Sequence, residues 1–557
     1  MRAASRVATA AIAAGSILLL GAPMASSDTS GTTGAEHTYL VMYKNGASSA
    51  GAESTIADAG GTMVVNHREV GLVVATSDQT DFASTLESKS GIEEVAVSET
   101  PIAQVNPVST DSHDQPSELP NSPATPDNFE PLQWDMRQIH AFEAHAITGG
   151  SPAVVVGDID TGLDFTHPDI APNYDASRSA DCESGAPLPL EPGNDANGHG
   201  THTAGTIAAA DNEIGITGVA PNVKIAGIKS SLDSGYFFVE MVVCSFLWAG
   251  GAGFDMPEGQ PDIPATDGPR VDVTNNSYYM DPFLYNCRND AEQRVLWKAA
   301  QRAAMYATQQ GVTHVASQGN DSDDRAHPTY DASSPDYPPG SAVERDITNA
   351  CVVVPLELPG VVGVTAVGNT RQVDGNDDPD DYLKSYYSAY GVGVAEVTAP
   401  GGDFYYGRGT EAEPFGLVLS TWPDAAGCGR AVTEDPPPAA GAAKYCYLQG
   451  TSMAGPHAAG VAALIISQFG DLDSPQNGKM RPGSVAAYMQ QTADAQPCPT
   501  ELPLTGAPGS SRADVPYAST TRPDGSPQEC QGGESYNSWY GSGQINALRA
   551  VTHDAGQ

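Results

Sequence analysis

Residues 450–457 read Gly-Thr-Ser-Met-Ala-Gly-Pro-His, and small residues dominate the chain from there to Ala463. This pattern predicts the first turn of a helix, with little side-chain bulk around one hydroxyl group, that of Ser452. Unbonded N–H groups and the positive end of the helix dipole favour negative charge at such a terminus. An alkoxide nucleophile and the oxyanion of an acyl transfer are both stabilised there. Ser452 is therefore the candidate nucleophile.

Two upstream segments supply the other groups that nucleophilic acyl transfer needs. The apolar stretch 154–160 ends in Asp160 and runs into a Thr-Gly turn, which places this carboxylate at the carboxyl end of a strand, where catalytic groups collect in open α/β sheets. His199 lies between two glycines at the predicted start of a helix. An imidazole can take the hydroxyl proton while a carboxylate fixes its tautomer. Asp158 shares a strand face with Asp160, so periodicity alone does not choose between them.

Together, the three segments resemble the signature blocks of the subtilisin-like serine proteases (subtilases, peptidase family S8), in that family's chain order of Asp, His and Ser. The resemblance covers about residues 130–557. It implies that Asp160 orients the imidazole, that His199 is the general base and that Ser452 is the nucleophile. It also implies that Asn320, at the end of the sequence Val-Ala-Ser-Gln-Gly-Asn, donates to the oxyanion together with the Ser452 backbone N–H.

The resemblance extends to a substrate-binding strand, which in the family reads Asn-x-Ser-Leu-Gly and pairs with the extended substrate as an added strand. Here the corresponding residues 275–279 read Asn-Asn-Ser-Tyr-Tyr. The candidate substrate-binding residues are therefore Ser277, Tyr278 and Tyr279. Because Tyr279 stands in the usual glycine position, we hypothesise that it narrows or reshapes the family's open, apolar primary pocket.

Apolar strands and amphipathic helices alternate from about residue 129 onwards. This alternation predicts an α/β domain, a mostly parallel sheet with helices on both faces, as in the subtilisin-like fold. The predicted strands are 153–156, 223–228, 271–274 and 312–316, and the predicted helices are 198–210 and 299–310. The stretches rich in Pro, Gly and acidic residues are interpreted as surface insertions; they are 173–195, 230–268, 403–447 and 495–535.

Three segments precede the predicted peptidase domain, which spans 129–557. Residues 1–27 have the basic, apolar and small-residue regions of a secretory signal peptide. Residues 37–105 have the β-α-β-β-α-β order of a small α+β, ferredoxin-like unit, and they resemble the family's propeptide, an intramolecular inhibitor that assists folding. Residues 106–128 are a linker rich in Pro, Ser and Asp. The resemblance implies self-cleavage at a point between about Val105 and Asn128.

Charge and cysteine content limit the partners and the compartment. The formal net charge of -42 over 557 residues argues against a nucleic-acid partner, because phosphate binding requires basic patches. After the signal segment, no stretch is long and apolar enough for a membrane anchor. Eight cysteines in an exported chain predict disulfides. The expected sequence-adjacent pairs are Cys182–Cys351, Cys244–Cys287, Cys428–Cys446 and Cys498–Cys530.

The predicted function needs no cofactor for catalysis. Acidic residues within 374–381 offer oxygen ligands to a structural calcium ion, but their spacing departs from the twelve-residue calcium motif, so a solvated loop is the preferred interpretation. We predict a secreted, extracellular serine endopeptidase that is made as a self-processing zymogen and cleaves proteins or peptides. The alternatives are a processing peptidase of narrow specificity and a catalytically inactive, subtilase-like binding protein.

Overall fold

The computed structural model describes residues 33–98, 129–371, 381–404, 416–434, 443–474, 478–500, 517 and 527–553. The strands are β1 (Thr33–Tyr43), β2 (Gly61–His67), β3 (Leu72–Gln79), β4 (Ile92–Ser98), β5 (Val155–Asp160), β6 (Ala180–Asp181), β7 (Lys224–Lys229), β8 (Val273–Asn276), β9 (Asn286–Cys287), β10 (Thr313–Ser317), β11 (Tyr330–Asp331), β12 (Arg345–Asp346), β13 (Cys351–Val352), β14 (Val361–Arg371), β15 (Tyr382–Lys384), β16 (Val397–Pro400), β17 (Val418–Thr421), β18 (Ala431–Thr433), β19 (Lys444–Leu448), β20 (Gly532–Gly533) and β21 (Tyr536–Asn537). The helices are α1 (Ala52–Asp58), α2 (Phe82–Glu87), α3 (Trp134–Gln138), α4 (Ala141–His145), α5 (His199–Ala208), α6 (Val239–Ala249), α7 (Ala291–Gln310), α8 (Thr451–Phe469), α9 (Pro482–Gln491) and α10 (Ala547–Thr552).

The N-terminal unit is a four-stranded antiparallel sheet in the order β2-β3-β1-β4. Along β1, Val41 packs into a small core with Ile56 of α1 and Phe82 of α2. Its neighbour Met42 points to the opposite face and joins the core of the following domain. The predicted α+β unit with the order β-α-β-β-α-β is therefore present, with its helices on one face only.

The central sheet follows the order β15-β14-β10-β8-β5-β7-β6, and β16 lies beside β14. Every pair in it is parallel except β14 with β15. The predicted mostly parallel sheet is confirmed. The observed β5 begins two residues after the predicted strand and extends to Asp160, so this carboxylate is the last residue of its strand.

Helices cover both faces of this sheet. Val154 and Val156 pack in a core with residues of α5 and α8. Val155 and Ile159 belong to a second core, shared with α6 and α7. Since side chains alternate along a strand, Asp158 and Asp160 lie on the same side as Val156 and face α5.

The N-terminal sheet packs against α6 and α7 through one continuous apolar core. Charged contacts flank this core. Lys298 of α7 lies 3.0 Å from both Glu93 and Glu94 of β4, and Arg302 lies 2.7 Å from Glu93. The unit is therefore docked by its apolar face, with ion pairs at the edge.

Two predicted surface insertions are wrong. The stretch 230–268 contains α6, whose residues are almost all buried, because this helix lies between the central sheet and the N-terminal sheet. The stretch 403–447 contains all of β17 and β19 except for Leu448, the last residue of β19. Strand β17 packs against α5. The flanking Gly, Pro and acidic residues obscured these buried elements in the sequence.

Two of the four predicted disulfides are wrong. The structure pairs Cys182 with Cys244 and Cys287 with Cys351, whereas Cys428–Cys446 and Cys498–Cys530 pair as expected. Cys287 and Cys351 lie opposite each other in the antiparallel pair of β9 and β13. This register is set by tertiary pairing, which sequence adjacency does not predict.

None of the helices in the described part of the chain is long and apolar enough to cross a membrane.

Candidate active site

The structure brings Asp160 and His199 into direct contact. Asp160 is fully buried at the end of β5, and His199 is the first residue of α5. The His199 Nδ1 atom lies 2.7 Å from Asp160 Oδ1, an oxygen that also accepts the Thr161 backbone N–H at 2.8 Å. A donor at Nδ1 leaves Nε2 of a neutral imidazole as a proton acceptor. The His199 side chain is 26% exposed.

Glycines on either side of His199 permit this close approach. Gly198 has a φ of +97°, in the left-handed region that favours glycine. A Cβ atom on Gly200 would lie 2.2 Å from the carbonyl oxygen of Gly162. The start of α5 therefore contacts the turn after β5 as closely as two backbones allow, and this contact sets the imidazole against the carboxylate.

The electrostatics favour a proton on His199. Burial lowers the pKa of the imidazole, but the charge of Asp160 and the hydrogen bond to it outweigh burial, and the net pKa is raised. The environment thus stabilises an imidazolium ion, the species that forms when a general base has taken a proton.

Ser452 is the second residue of α8, in the turn that the sequence predicted. Its Oγ atom donates to the carbonyl oxygen of Ser277 at 3.2 Å. In return, Ser277 Oγ donates to the Ser452 carbonyl at 3.1 Å. That carbonyl lacks its helical donor because Pro456, four residues later, has no N–H. Ser277 therefore fixes the backbone of Ser452 by satisfying an oxygen that the helix leaves open.

His199 and Ser452 line the same cleft, which has a volume of about 510 Å³. No hydrogen bond among the described residues joins the two side chains, since the serine hydroxyl is directed at Ser277. Catalytic hydrogen bonds are often long or absent before substrate binds. To donate to His199, the Ser452 hydroxyl would have to leave the Ser277 carbonyl.

Asn320 follows β10 and lines the cleft beside Ser452. Its Oδ1 atom accepts the Thr451 backbone N–H at 2.8 Å and the Thr451 hydroxyl at 3.0 Å. These contacts assign the orientation of the amide. The Nδ2 group of this exposed residue therefore remains available as a donor to a ligand in the cleft.

Asp158 lies beneath the site and does not contact the imidazole. It is 1% exposed, and its carboxyl accepts from Thr203 Oγ1 at 2.7 Å and from Asn275 Nδ2 at 2.9 Å. Burial, and secondly the charge of Asp160, raise the pKa of Asp158 well above its ordinary value. The structure thus distinguishes the two carboxyls, which strand periodicity left equivalent. Asp160 contacts the imidazole, whereas Asp158 links β5 to α5 through Thr203 and to β8 through Asn275.

The three candidate substrate-binding residues follow β8 and line the cleft. Ser277 holds the backbone of Ser452, as described above. Tyr278 is buried, and its ring stacks on Phe237 with centroids 4.2 Å apart. Tyr279 donates its hydroxyl to Asp336 Oδ2 at 2.5 Å. Asp336 could not be predicted from the sequence, because it lies 57 residues after Tyr279 in a Pro-rich segment without a recognised motif.

Two further histidines of the motifs are occupied by structural contacts. His202 Nε2 lies 3.0 Å from the Cys446 carbonyl, and burial is the main cause that lowers its pKa to about 3. His457 lies 3.0 Å from Asp135 Oδ2 and 2.7 Å from the Met453 carbonyl. Both are buried, so neither faces the cleft as a base.

A metal site is not found among the described residues, which contain no group of three or more side chains from His, Cys, Asp and Glu placed to hold an ion. The acidic loop 374–381 lies outside the described residues except for Asp381, which is buried.

Comparison with known proteins adds evidence that is independent of this geometry. The model of the subtilase family (peptidase S8) matches residues 151–532. The alkaline protease of Alkalihalobacillus alcalophilus is 29% identical over 340 residues, which cover 60% of this chain and 59% of that protein. Subtilisin Savinase of Lederbergia lenta is also 29% identical over 340 residues, covering 60% of this chain and 84% of that protein. The chain thus spans less than two thirds of the length of the first of these relatives.

Solved structures show the same fold at lower identity. The epidermin leader peptide processing serine protease (EpiP) of Staphylococcus aureus superposes with a TM-score of 0.59 at 20% identity, covering 94% of this chain and 99% of that one. Fervidolysin of Fervidobacterium pennivorans, a keratinolytic enzyme related to subtilisin, gives 0.57 at 20% identity, covering 95% and 63%. Because the family model matches most of the peptidase domain, with Asp160, His199 and Ser452 inside the matched residues, this chain belongs to the subtilase family.

Proposed function

We propose that this protein is an exported serine endopeptidase that hydrolyses peptide bonds through an acyl-enzyme on Ser452. The observation that carries the proposal is the imidazole of His199, held at 2.7 Å by a buried carboxylate and open on its other side to the cleft that contains Ser452 and Asn320. A base, an orienting acid, a hydroxyl and an oxyanion donor are the complete set that acyl transfer requires.

In the proposed mechanism, His199 Nε2 accepts the proton of Ser452 Oγ as this oxygen attacks the carbonyl carbon of the scissile bond. Asp160 holds the tautomer and stabilises the imidazolium that forms. The imidazolium then gives its proton to the leaving amine, and water hydrolyses the ester by the same steps. Before the attack, the hydroxyl must leave the Ser277 carbonyl, to which it is bound at 3.2 Å.

Asn320 and the Ser452 backbone N–H are the proposed oxyanion donors. The Asn320 Nδ2 group is oriented by the contacts of Oδ1 with Thr451, so little reorganisation is needed when charge develops. Such preorganised donors act on the transition state more than on the ground state.

Peptide or protein segments are the proposed substrates, bound in extended form along the residues after β8. Ser277, Tyr278 and Tyr279 line the cleft there. The contact of Tyr279 with Asp336 favours a shaped, polar pocket, and so favours the narrow-specificity alternative over broad digestion. Cleavage profiling of a peptide library tests this point, because Tyr279→Gly should change the profile, and an unchanged profile would contradict the role of Tyr279.

The N-terminal unit is proposed to be the propeptide, acting as an intramolecular inhibitor of its own peptidase domain. It docks on α6 and α7 through the apolar core and ion pairs described above. Ser98, at the end of β4, donates a hydrogen bond to Glu240 of α6. Self-cleavage is proposed between about Val105 and Asn128, which lie outside the described residues. A Ser452→Ala chain with the same mature N-terminus as the wild type would contradict self-processing.

Export follows from the signal-like residues 1–27 and is supported by the four disulfides, which persist in oxidising compartments. We propose an extracellular location, with no cofactor in the chemistry. For the acidic residues within 374–381, a solvated loop is the preferred proposal and a structural calcium ion is the alternative. A melting temperature that chelator leaves unchanged would count against it.

The test of function is hydrolysis of casein and of a quenched peptide library by the secreted protein. The wild type should cleave at least one substrate, whereas Ser452→Ala should be inactive and remain folded. Cleavage of many library peptides supports a broad peptidase, and cleavage of a few supports a processing peptidase. Absence of hydrolysis by a folded, processed wild type favours the inactive binding protein.

A further inference from the structure

One wall of the cleft carries a pair of carboxyl groups that the proposed chemistry does not use. Asp281 follows β8 by five residues, and Asp336 lies in the Pro-rich segment after β11. Both line the same cleft as Ser452, and Tyr279 lies with them. The carboxyls are therefore part of the space that a substrate side chain next to the reacting bond would enter.

Few N–H and hydroxyl donors of the described residues face this pair. Tyr279 donates to Asp336 Oδ2 at 2.5 Å, and the Phe237 backbone N–H donates to Asp281 Oδ2. Asp281 is 5% exposed. Asp336 Oδ1 is buried and accepts no N–H or hydroxyl group of the described residues, and the Asp281 carboxyl lies within hydrogen-bonding reach of the Asp336 carboxyl. A buried carboxylate oxygen without a donor is costly unless a ligand supplies one.

No cation of the described residues compensates this pair. Of the described residues that line the cleft, only Arg325 carries a permanent positive charge. Its side chain is fully buried and is bound to Asp321 and to the Tyr285 hydroxyl, the latter at 2.6 Å. Arg325 therefore neutralises Asp321 and is not available to Asp281 or Asp336.

The two carboxyls also affect each other. Burial, and secondly the charge of Asp336, raise the pKa of Asp281 well above its ordinary value. Ionising both groups together is therefore less favourable than ionising either one alone. A cation that enters the cleft would favour the ionised form of these carboxyls and would find charge-assisted hydrogen-bond acceptors there.

Resting on the proposed function, we propose that Asp281 and Asp336 select substrates with a lysine or arginine immediately before the scissile bond. Both cationic side chains carry several N–H donors on a long apolar stem, which suits a recess with two carboxyl groups, one buried oxygen without an N–H or hydroxyl donor, and no free cation. An apolar side chain would leave that oxygen without a donor, and an acidic side chain would be repelled. Tyr279 is then a positioning residue that orients Asp336.

The experiment uses the secreted, self-processed protein and fluorogenic peptides that differ only at the residue before the scissile bond. The set comprises Arg, Lys, citrulline, Leu, Phe and Glu, because citrulline has the shape of arginine without its charge. We expect kcat/KM for Arg or Lys to exceed that for citrulline at least 100-fold. Benzamidine, a planar cation, should inhibit competitively.

Asp336→Asn and Asp281→Asn should lower kcat/KM for the Arg and Lys peptides 10-fold to 100-fold, and should lower the Arg-to-citrulline ratio of kcat/KM by a similar factor. Glu344→Gln is the matched control, since Glu344 is exposed and does not line the cleft. This substitution removes the same charge and so tests whether an acidic protein attracts cationic peptides in general. It should leave kcat/KM unchanged for every peptide.

Equal or better hydrolysis of Leu, Phe or citrulline peptides by the wild type overturns the inference, while the proposed function stands. This comparison and the benzamidine measurement need only the wild-type protein, so they decide the matter even where a variant does not fold. Failure of Ser452 to react with a fluorophosphonate, together with no hydrolysis of any peptide, overturns the proposed function and the inference with it.

Discussion

Acidification should loosen the N-terminal unit from the peptidase domain, and we expect protonation of His67 to be the cause. His67 ends β2 and is fully buried where this unit packs on the region after α6. Its ring meets that of Phe254 edge-on, with centroids 5.5 Å apart. The Gly185 backbone offers the ring a hydrogen bond, which offsets the effect of burial on the pKa only in part. Burial lowers the pKa of His67 from 6.5 to about 3.

The direction and size of the effect follow from this pKa. The assembled protein favours the neutral His67 ring. The contribution of this ring to docking of the N-terminal unit is therefore complete above pH 6.5 and is lost as the pH falls from 6.5 towards 3. Each pH unit inside this window costs about 1.4 kcal/mol. From pH 7.5 to pH 5.0, the opening free energy of the unit should fall by about 2 kcal/mol, or about 30-fold in the opening equilibrium.

The pH range in which His67 acts differs from the range in which the carboxylates of the same interface titrate. Burial alone would raise the pKa of Glu93, but its contacts with Lys298 and Arg302 outweigh burial and lower the pKa below 4.5. Glu93 therefore stays ionised at pH 5.0, and the ion pairs at the edge of the interface remain.

Hydrogen exchange measured by mass spectrometry on peptides from residues 61–79 tests the prediction, with rates corrected for their intrinsic pH dependence. The full-length chain carries Ser452→Ala to prevent self-cleavage. In this background, His67→Phe keeps a ring against Phe254 without a titratable group. Its opening free energy should fall by less than about 0.5 kcal/mol between pH 7.5 and pH 5.0. His37→Gln, at an exposed position of the same unit, should behave like the parent. Equal losses in the parent and in His67→Phe would refute the reasoning.

Three further predictions concern the site and its support. Asn320→Ala should lower kcat by about 10²–10³, equivalent to about 2.7–4 kcal/mol of barrier, with little change in KM; steady-state kinetics on one good peptide measures this. Asp158→Ala should destabilise the fold by about 1–3 kcal/mol, because two buried donors lose their acceptor. Asp158→Asn, which retains an acceptor, should lose less; urea unfolding of both variants checks the difference. Replacing Cys428 and Cys446 by serine opens a loop with a sequence separation of 18 and should cost about 3 kcal/mol in the same unfolding experiment.

The parts of the fold that local sequence patterns encode were predictable. The apolar run before Asp160 is a strand because its side chains fill cores on both faces of the sheet. The N-terminal unit shows its alternation and its turns in the sequence, and its element order agrees with the prediction. The turns that present His199 and Ser452 could be located because close backbone contact there requires glycine and other small residues.

Features that depend on distant pairing were not predictable. Helix α6 lies in a stretch that we interpreted as a surface insertion. It is apolar on all sides because it is enclosed by two sheets, and this enclosure is not visible in the local sequence. The pairing of Cys287 with Cys351 depends on the register of β9 and β13. Asp336 acquires its contact with Tyr279 from a segment 57 residues away, and no local periodicity indicates such a contact.

The most direct test of the central claim is the site of covalent labelling by a fluorophosphonate, mapped by mass spectrometry of the digested protein. We predict one adduct, on Ser452, which is lost in His199→Ala and slowed in Asp160→Asn although both variants remain folded. Labelling that persists at Ser452 without His199, or an adduct on another residue, would contradict the account.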